Sequence, residues 1–156
     1  MKKVIKWCLS AILMISMITP AFAHCEIPCG IYGDSLRVEL IREHVMTIEK
    51  SMKMINELSK AKNPNYNQLV RWVNNKDEHA EKIQDLAAQY FMFQRIKSKK
   101  ASDVEAYAKY LLQLEHMHQI TVEAMKCKQG TDKEHAKKIL EHLMVFEESY
   151  FHKHDH

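Results

Sequence analysis

Apolar residues recur along this chain in four runs at steps of three and four, the spacing of helices that each bury one face. In the first run Ile41, Val45, Ile48, Met52 and Ile55 form a seam. Asp34 or Ser35 is placed to cap its start, and the helix is expected to end near Lys60, before Asn63-Pro64-Asn65. A second helix, from about Asn67 to Lys97, puts Leu69, Val73, Ala80, Ile83, Ala87 and Tyr90 on one stripe, interrupted by the polar stretch from Asn74 to His79. Ser102-Asp103-Val104-Glu105 reads as a capping box opening a third helix, with Val104, Ala108, Leu111, Leu114, His118, Val122 and Met125 facing inward until Gly130 ends it. Thr131-Asp132-Lys133-Glu134 is a second capping box, and Ala136, Ile139, Leu143, Phe146 and Tyr150 carry the fourth stripe.

Four amphipathic helices joined by short turns predict an all-α, up-down four-helix bundle over residues 34–151. Only three Gly and three Pro occur, so little interrupts the helices, and strand signals are absent. There is no internal repeat. The one biased segment is the His-rich tail 152–156, whose His152, His154 and His156 read as a polar tail with some capacity for Ni(II) or Cu(II).

The start of the chain follows a different pattern. Met1-Lys2-Lys3 is basic, Trp7 to Ile18 is apolar, and Ala21-Phe22-Ala23 is a small-residue cleavage site, so residues 1–23 are expected to be a signal peptide. The remainder, roughly 133 residues, is the size of one domain with a single core. The formal charge of +3 belongs to the leader: without Lys2, Lys3 and Lys6 the chain carries 20 cationic and 20 anionic side chains. A neutral balance gives no basis for nucleic-acid binding, and no segment after Ala23 approaches the length of a membrane span. An exported protein, periplasmic and free of the membrane after cleavage, is expected.

Cleavage after Ala23 would make His24 the first residue of His24-Cys25-Glu26-Ile27-Pro28-Cys29-Gly30-Ile31-Tyr32. A free α-amine, an imidazole, two thiols and the intervening amide nitrogen then fall within six residues. Mixed N/S donors in a planar arrangement point to nickel or copper rather than zinc. An oxidising compartment also admits a Cys25–Cys29 disulfide, and the terminal His24 together with Pro28 favours the metal hook. Cys8 leaves with the leader, and Cys127 reads as a buried or half-buried thiol near a helix end, with no chemistry assigned. Glu115-x-x-His118 lacks the second E-x-x-H motif that a di-iron site requires, so Glu115, His116, His118 and His135 are read as structural or solvated.

A chain opening H-C-x-x-P-C-G-x-Y resembles the nickel-containing superoxide dismutases. Arg37-Val38-Glu39 is similar to the family's segment just past the hook. Asn67-Gln68-Leu69-Val70-Arg71-Trp72-Val73, Lys76-Asp77-Glu78-His79-Ala80 and Tyr90-Phe91 are similar to its second helix. The resemblance implies one nickel ion per subunit on His24, Cys25 and Cys29, superoxide as substrate, Ni(II)/Ni(III) cycling, and a homohexamer whose hooks are held partly by neighbouring subunits. Thiolates and a deprotonated amide donate the electron density that makes Ni(III) accessible, with the His24 amine in the plane and its imidazole axial in the oxidised state. The resemblance also makes Tyr32 a residue of the catalytic pocket together with the three ligands. Glu39 is expected to orient the His24 imidazole, Arg71 to anchor the hook region and Tyr90 to line the pocket, while His79 stands where some relatives carry a second arginine. The nickel-loading partner is not legible. A periplasmic nickel or copper carrier using the same hook, and a helical interaction module with a disulfide-tied start, are the competing classes.

Overall fold

The computed structural model describes Pro28, Gly30 and residues 31–151. The leader expected at 1–23, the hook donors His24, Cys25 and Cys29, and the tail 152–156 lie outside the described residues. The chain divides into two compact units between Tyr32 and Gly33, and the second contains all the described helices. These are α1 (Asp34–Ser59), α2 (Tyr66–Asp85, continued by a π-helical stretch Leu86–Arg95), α3 (Val104–Gln129) and α4 (Lys133–Phe151). Consecutive helices pack side by side and α4 packs on α1, which closes the four-helix bundle. Among the described residues there is no strand and no helix long and apolar enough to cross a membrane.

The core follows the predicted stripes on three helices. Val38, Ile41, Val45, Ile48 and Met52 of α1 meet Ala80, Ile83, Ala87 and Phe91 of α2 and Ala136, Ile139, Leu143 and Phe146 of α4, all buried. Ile55, Leu69 and Val73, at the far ends of their stripes, and Tyr150 are half-buried. Phe91 meets Phe146 edge to face at 5.0 Å between ring centroids. Each fully buried Ile, Leu or Phe contributes about 1.5–3 kcal/mol, so this shared interior outweighs any single polar contact in holding the helices together.

The third stripe is corrected. On α3 Val104 is 77%, Leu111 46% and Met125 50% exposed, whereas Gln113, Met117, Ile120, Glu123, Ala124 and Cys127 are buried. Apolar residues occupy two faces of this helix, and the face that wins includes two polar residues that disguise it. Burial of those two is satisfied by specific partners. Gln113 Nε2 donates to the Ser149 carbonyl at 3.1 Å, and the Glu123 carboxylate pairs with Lys126 at 2.6 Å and His135 Nδ1 at 2.7 Å. Those pairs hold Glu123 ionised: burial would raise its pKa, but the hydrogen bonds from Lys126 and His135 bring it below the ordinary value.

Four helix ends also differ from expectation. Asp103, not Ser102, caps α3 by accepting from the Ala106 N–H. Asn65 caps α2 by accepting from Gln68 N–H at 3.1 Å, and the helix leaves its regular path at Arg95, because Ile96 is extended. Asp34 is inside the first turn of α1, and its carboxylate serves another purpose, described below. The polar interruption of the second stripe has a packing role of its own. Lys76 is buried, and its ammonium donates to the carbonyls of Cys127 at 2.6 Å and Lys128 at 2.8 Å, where the end of α3 leaves carbonyls without helical donors. Next to it Asn75 Nδ2 donates to Ser51 Oγ at 2.9 Å, tying α2 to α1.

Candidate metal centre

In the hook, the Ile31 N–H donates to the Pro28 carbonyl at 3.1 Å and Gly30 has φ +91°. That is a tight turn whose third position lies in the left-handed region, where glycine is unstrained and other residues are not. No atom would obstruct a Cβ on Gly30, so backbone conformation alone selects glycine here. Tyr32 is 39% exposed.

The residue following Tyr32 is held firmly from the bundle. Gly33 donates its N–H to Tyr90 Oη at 2.9 Å, and Tyr90 in turn donates its hydroxyl to Asp34 Oδ1 at 2.6 Å. Arg95 grips the same carboxylate with both arms, Nε to Oδ1 at 2.8 Å and Nη2 to Oδ2 at 2.7 Å, and Tyr150 Oη donates to Oδ2 at 2.8 Å. Asp34 thus gathers α1, α2 and α4 at one point. Burial would raise its pKa, but hydrogen bonds from Arg95, Tyr90 and Tyr150 more than offset this and keep the carboxyl below its ordinary value. The phenols move the other way. Burial first, then the neighbouring Asp34 charge, pushes both Tyr90 and Tyr150 up to about 12. The Arg37 guanidinium lies 5.2 Å from the Tyr90 ring centroid, a further cation on this cluster.

The π-helical stretch explains how Tyr90 and Arg95 reach one carboxylate. Residues five apart lie about 140° apart around an α-helix but one above the other where the bonding is i→i+5. The Ile96 N–H donating to the Phe91 carbonyl at 2.9 Å marks that wider turn. Neither Asp34, Arg95 nor Tyr150 was singled out in the sequence as a site residue. The only signal was Asp34 itself, an acidic residue at a helix start that reads equally well as a cap.

The other expected pocket residues lie as follows. Tyr90 is buried in the cluster just described. Glu39 is on an exposed face of α1, its carboxylate 3.4 Å from Arg42. Arg71 is exposed on α2. His79 is half-buried with its Nδ1 3.0 Å from His44 Nδ1, across the seam between α1 and α2. Glu115 and His118, the di-iron imitation, are both exposed. Among the described residues no three His, Cys, Asp or Glu side chains converge as a metal site.

The chemistry of the donors fits a nickel ion. Cys127 is fully buried in the last turn of α3, and burial pushes its thiol up to about 12, so it supplies no thiolate near neutral pH. Cys25 and Cys29 are the thiols that neighbour His24 in the sequence. The Ile31 to Pro28 hydrogen bond and the positive φ of Gly30 make a chain reversal of the kind a hook needs.

Comparison with known families gives one match. The family described as nickel-containing superoxide dismutase matches residues 19–154, a span that includes the hook and all four helices. No curated protein and no solved structure matches.

Proposed function

Because the chain belongs to the nickel-containing superoxide dismutase family and is a nickel-dependent oxidoreductase acting on superoxide, we propose that His24, Cys25 and Cys29 hold one nickel ion per subunit. Nickel held there would supply a one-electron Ni(II)/Ni(III) couple for the conversion of two superoxide ions and two protons into dioxygen and hydrogen peroxide. Cys25 and Cys29 contribute thiolates, whose electron donation brings the higher oxidation state into reach. His24 contributes its α-amine, neutral near its ordinary pKa of about 7.7–8.0, and its imidazole. The amine exists only after cleavage at Ala23, so export and activity are linked. Tyr32, at the end of the hook, limits access to the sulfurs; Glu39 orients the His24 imidazole, and Arg71 and His79 contact the hook of a neighbouring subunit.

The observation that carries this reading is the family match across residues 19–154, which takes in the His24, Cys25, Pro28, Cys29 and Gly30 pattern. A nine-residue hook has little surface with which to bury its own ion, so assembly into a homohexamer completes the site. Leu36, Met46, Val70, Phe93, Val104, Leu111, Met125 and Met144 are large apolar side chains exposed on the outside of the helices, a supply of contact surface for such an assembly. A periplasmic location follows from the leader. Mass spectrometry of the exported protein with metal analysis tests the reading: a mature mass beginning at His24 with one nickel per subunit is expected, and an intact leader or a different stoichiometric metal overturns it.

A further inference from the structure

Beyond the hook the helices carry two histidine pairs of matching geometry, one in each helical hairpin. His44 of α1 and His79 of α2 have Nδ1 atoms 3.0 Å apart, and so do His116 of α3 and His142 of α4. All four imidazoles are half-buried. The rings of the second pair are 5.2 Å apart between centroids with planes 50° apart, tilted rather than stacked.

At this distance two Nδ1 atoms are within hydrogen-bond reach, one donating and the other accepting according to the tautomer. A metal ion can replace the donated proton. Metal–imidazole bonds of about 2.0–2.1 Å at angles between a right angle and the tetrahedral value put the two nitrogens about 2.8–3.4 Å apart. The observed 3.0 Å lies within that range, so the two nitrogens already stand at a separation that one ion can bridge. Two neutral imidazoles suit a first-row divalent ion of borderline softness, zinc, nickel or copper, with water completing the shell.

Local charge separates the two pairs. The Lys82 ammonium acts on both His44 and His79 and opposes a second cation there, only partly offset by Glu43 and Glu78. At His116 the acting charges are His142, the other half of the pair, and the Glu115 carboxylate, which favours a cation. Burial also disfavours the protonated form of His116, leaving its lone pair available at neutral pH. We propose that His116 and His142 form a two-imidazole clip for a divalent transition-metal ion on the seam between α3 and α4, built from side chains other than the hook donors.

The test is a calorimetric titration of the nickel-loaded protein with Zn(II) at pH 7.5, in a background where His152, His154 and His156 are glutamine so that the tail takes no metal. One equivalent of Zn(II) per subunit is expected. His116→Gln and His142→Gln should each remove it, and His44→Gln and His79→Gln should leave it in place. No Zn(II) uptake in the background protein, or an equivalent that survives both His116→Gln and His142→Gln, overturns the assignment. Should either variant fail to fold, histidine ¹⁵N NMR on the background protein decides: Zn(II) must move the Nδ1 signals of His116 and His142, and movement confined to other histidines refutes the clip.

Discussion

Tyr150, in the last turns of α4, donates its hydroxyl at 2.8 Å to Oδ2 of Asp34, the first residue of α1, 116 positions earlier in the chain. The two ends of the bundle therefore meet on one carboxylate, and the same group receives Tyr90 and both arms of Arg95 from α2. Hydrophobic packing is non-directional and fixes that the helices associate. The Asp34 cluster is directional, and it fixes where the residue that follows the hook begins its helix.

Asp34→Asn should therefore destabilise the protein by about 2–4 kcal/mol, since it leaves Arg95 without its anion and two phenols with a poorer acceptor. Tyr150→Phe, which removes one hydrogen bond, should cost about 1 kcal/mol. Urea unfolding at pH 7, followed by circular dichroism, reads both. Wild-type stability in Asp34→Asn would show that the cluster fastens nothing.

Acid should weaken the fold in two stages. His44, His79 and His116 are all held below their ordinary pKa, first by burial and then by neighbouring positive charge, so the unfolded chain binds protons more readily than the native one. Stability from this source is complete above the ordinary histidine pKa of about 6.5 and is lost as pH falls below it toward the lower folded-state values. Asp34 is also depressed in the folded state, so its contribution is complete above about pH 3.9 and disappears as pH drops below it. Urea midpoints measured from pH 7.5 to 3 should decline in both windows. In a His44→Gln/His116→Gln protein the upper decline should flatten, and an unchanged slope would remove the histidine explanation.

Three of the four helices were legible in their apolar spacing because each had one face clearly more apolar than the rest. The α3 register was not, since Val104, Leu111 and Met125 outbid a buried face that includes Gln113 and Glu123, whose partners Ser149 and His135 lie on another helix. The π-helical turn at Leu86–Arg95 was equally hidden: local sequence favours a regular helix, and the pull comes from Asp34, more than fifty residues away. The expected hook donors His24, Cys25 and Cys29 are close together in the chain, so spacing alone suggests them, and they lie outside the described residues. The partners of Asp34 depend on tertiary placement, which spacing does not encode.

Cys25→Ser and Cys29→Ser should each abolish dismutase activity and nickel retention, because a neutral hydroxyl does not replace a thiolate. Cys127→Ala is the matched control. It removes a buried sulfur at a cost of about 1 kcal/mol and should leave nickel content and turnover unchanged. Nickel analysis and a superoxide-consumption assay on the three proteins decide. Finding Cys25 and Cys29 joined as a disulfide in the active, nickel-loaded enzyme would refute thiolate ligation.

One alanine placed before His24 in the mature protein turns the α-amine into an amide and displaces the terminal nitrogen by a residue. Dismutase activity should vanish while helical circular dichroism and the urea midpoint stay as they were, since the bundle begins only at Asp34. Full activity in the extended protein would mean that the amine is not a ligand.

Assembly should depend on the apolar side chains left outside the bundle. Leu111 and Met125 lie on the exposed face of α3, 46% and 50% accessible, where an isolated subunit would present hydrophobic surface to water. Sedimentation of the nickel-loaded protein should show a species far larger than a monomer, with a mass near six subunits. Leu111→Glu/Met125→Glu puts two charges on that face without touching the buried stripe of Met117, Ile120 and Ala124, so the helices should still form. If the face is an interface, the variant sediments as a smaller species and loses nickel faster on dilution, because each hook then lacks a neighbouring subunit to hold it. Unaltered sedimentation would place the subunit contacts on other exposed residues, and a fully active, tightly nickel-bound monomer would show that the hook needs no neighbour at all.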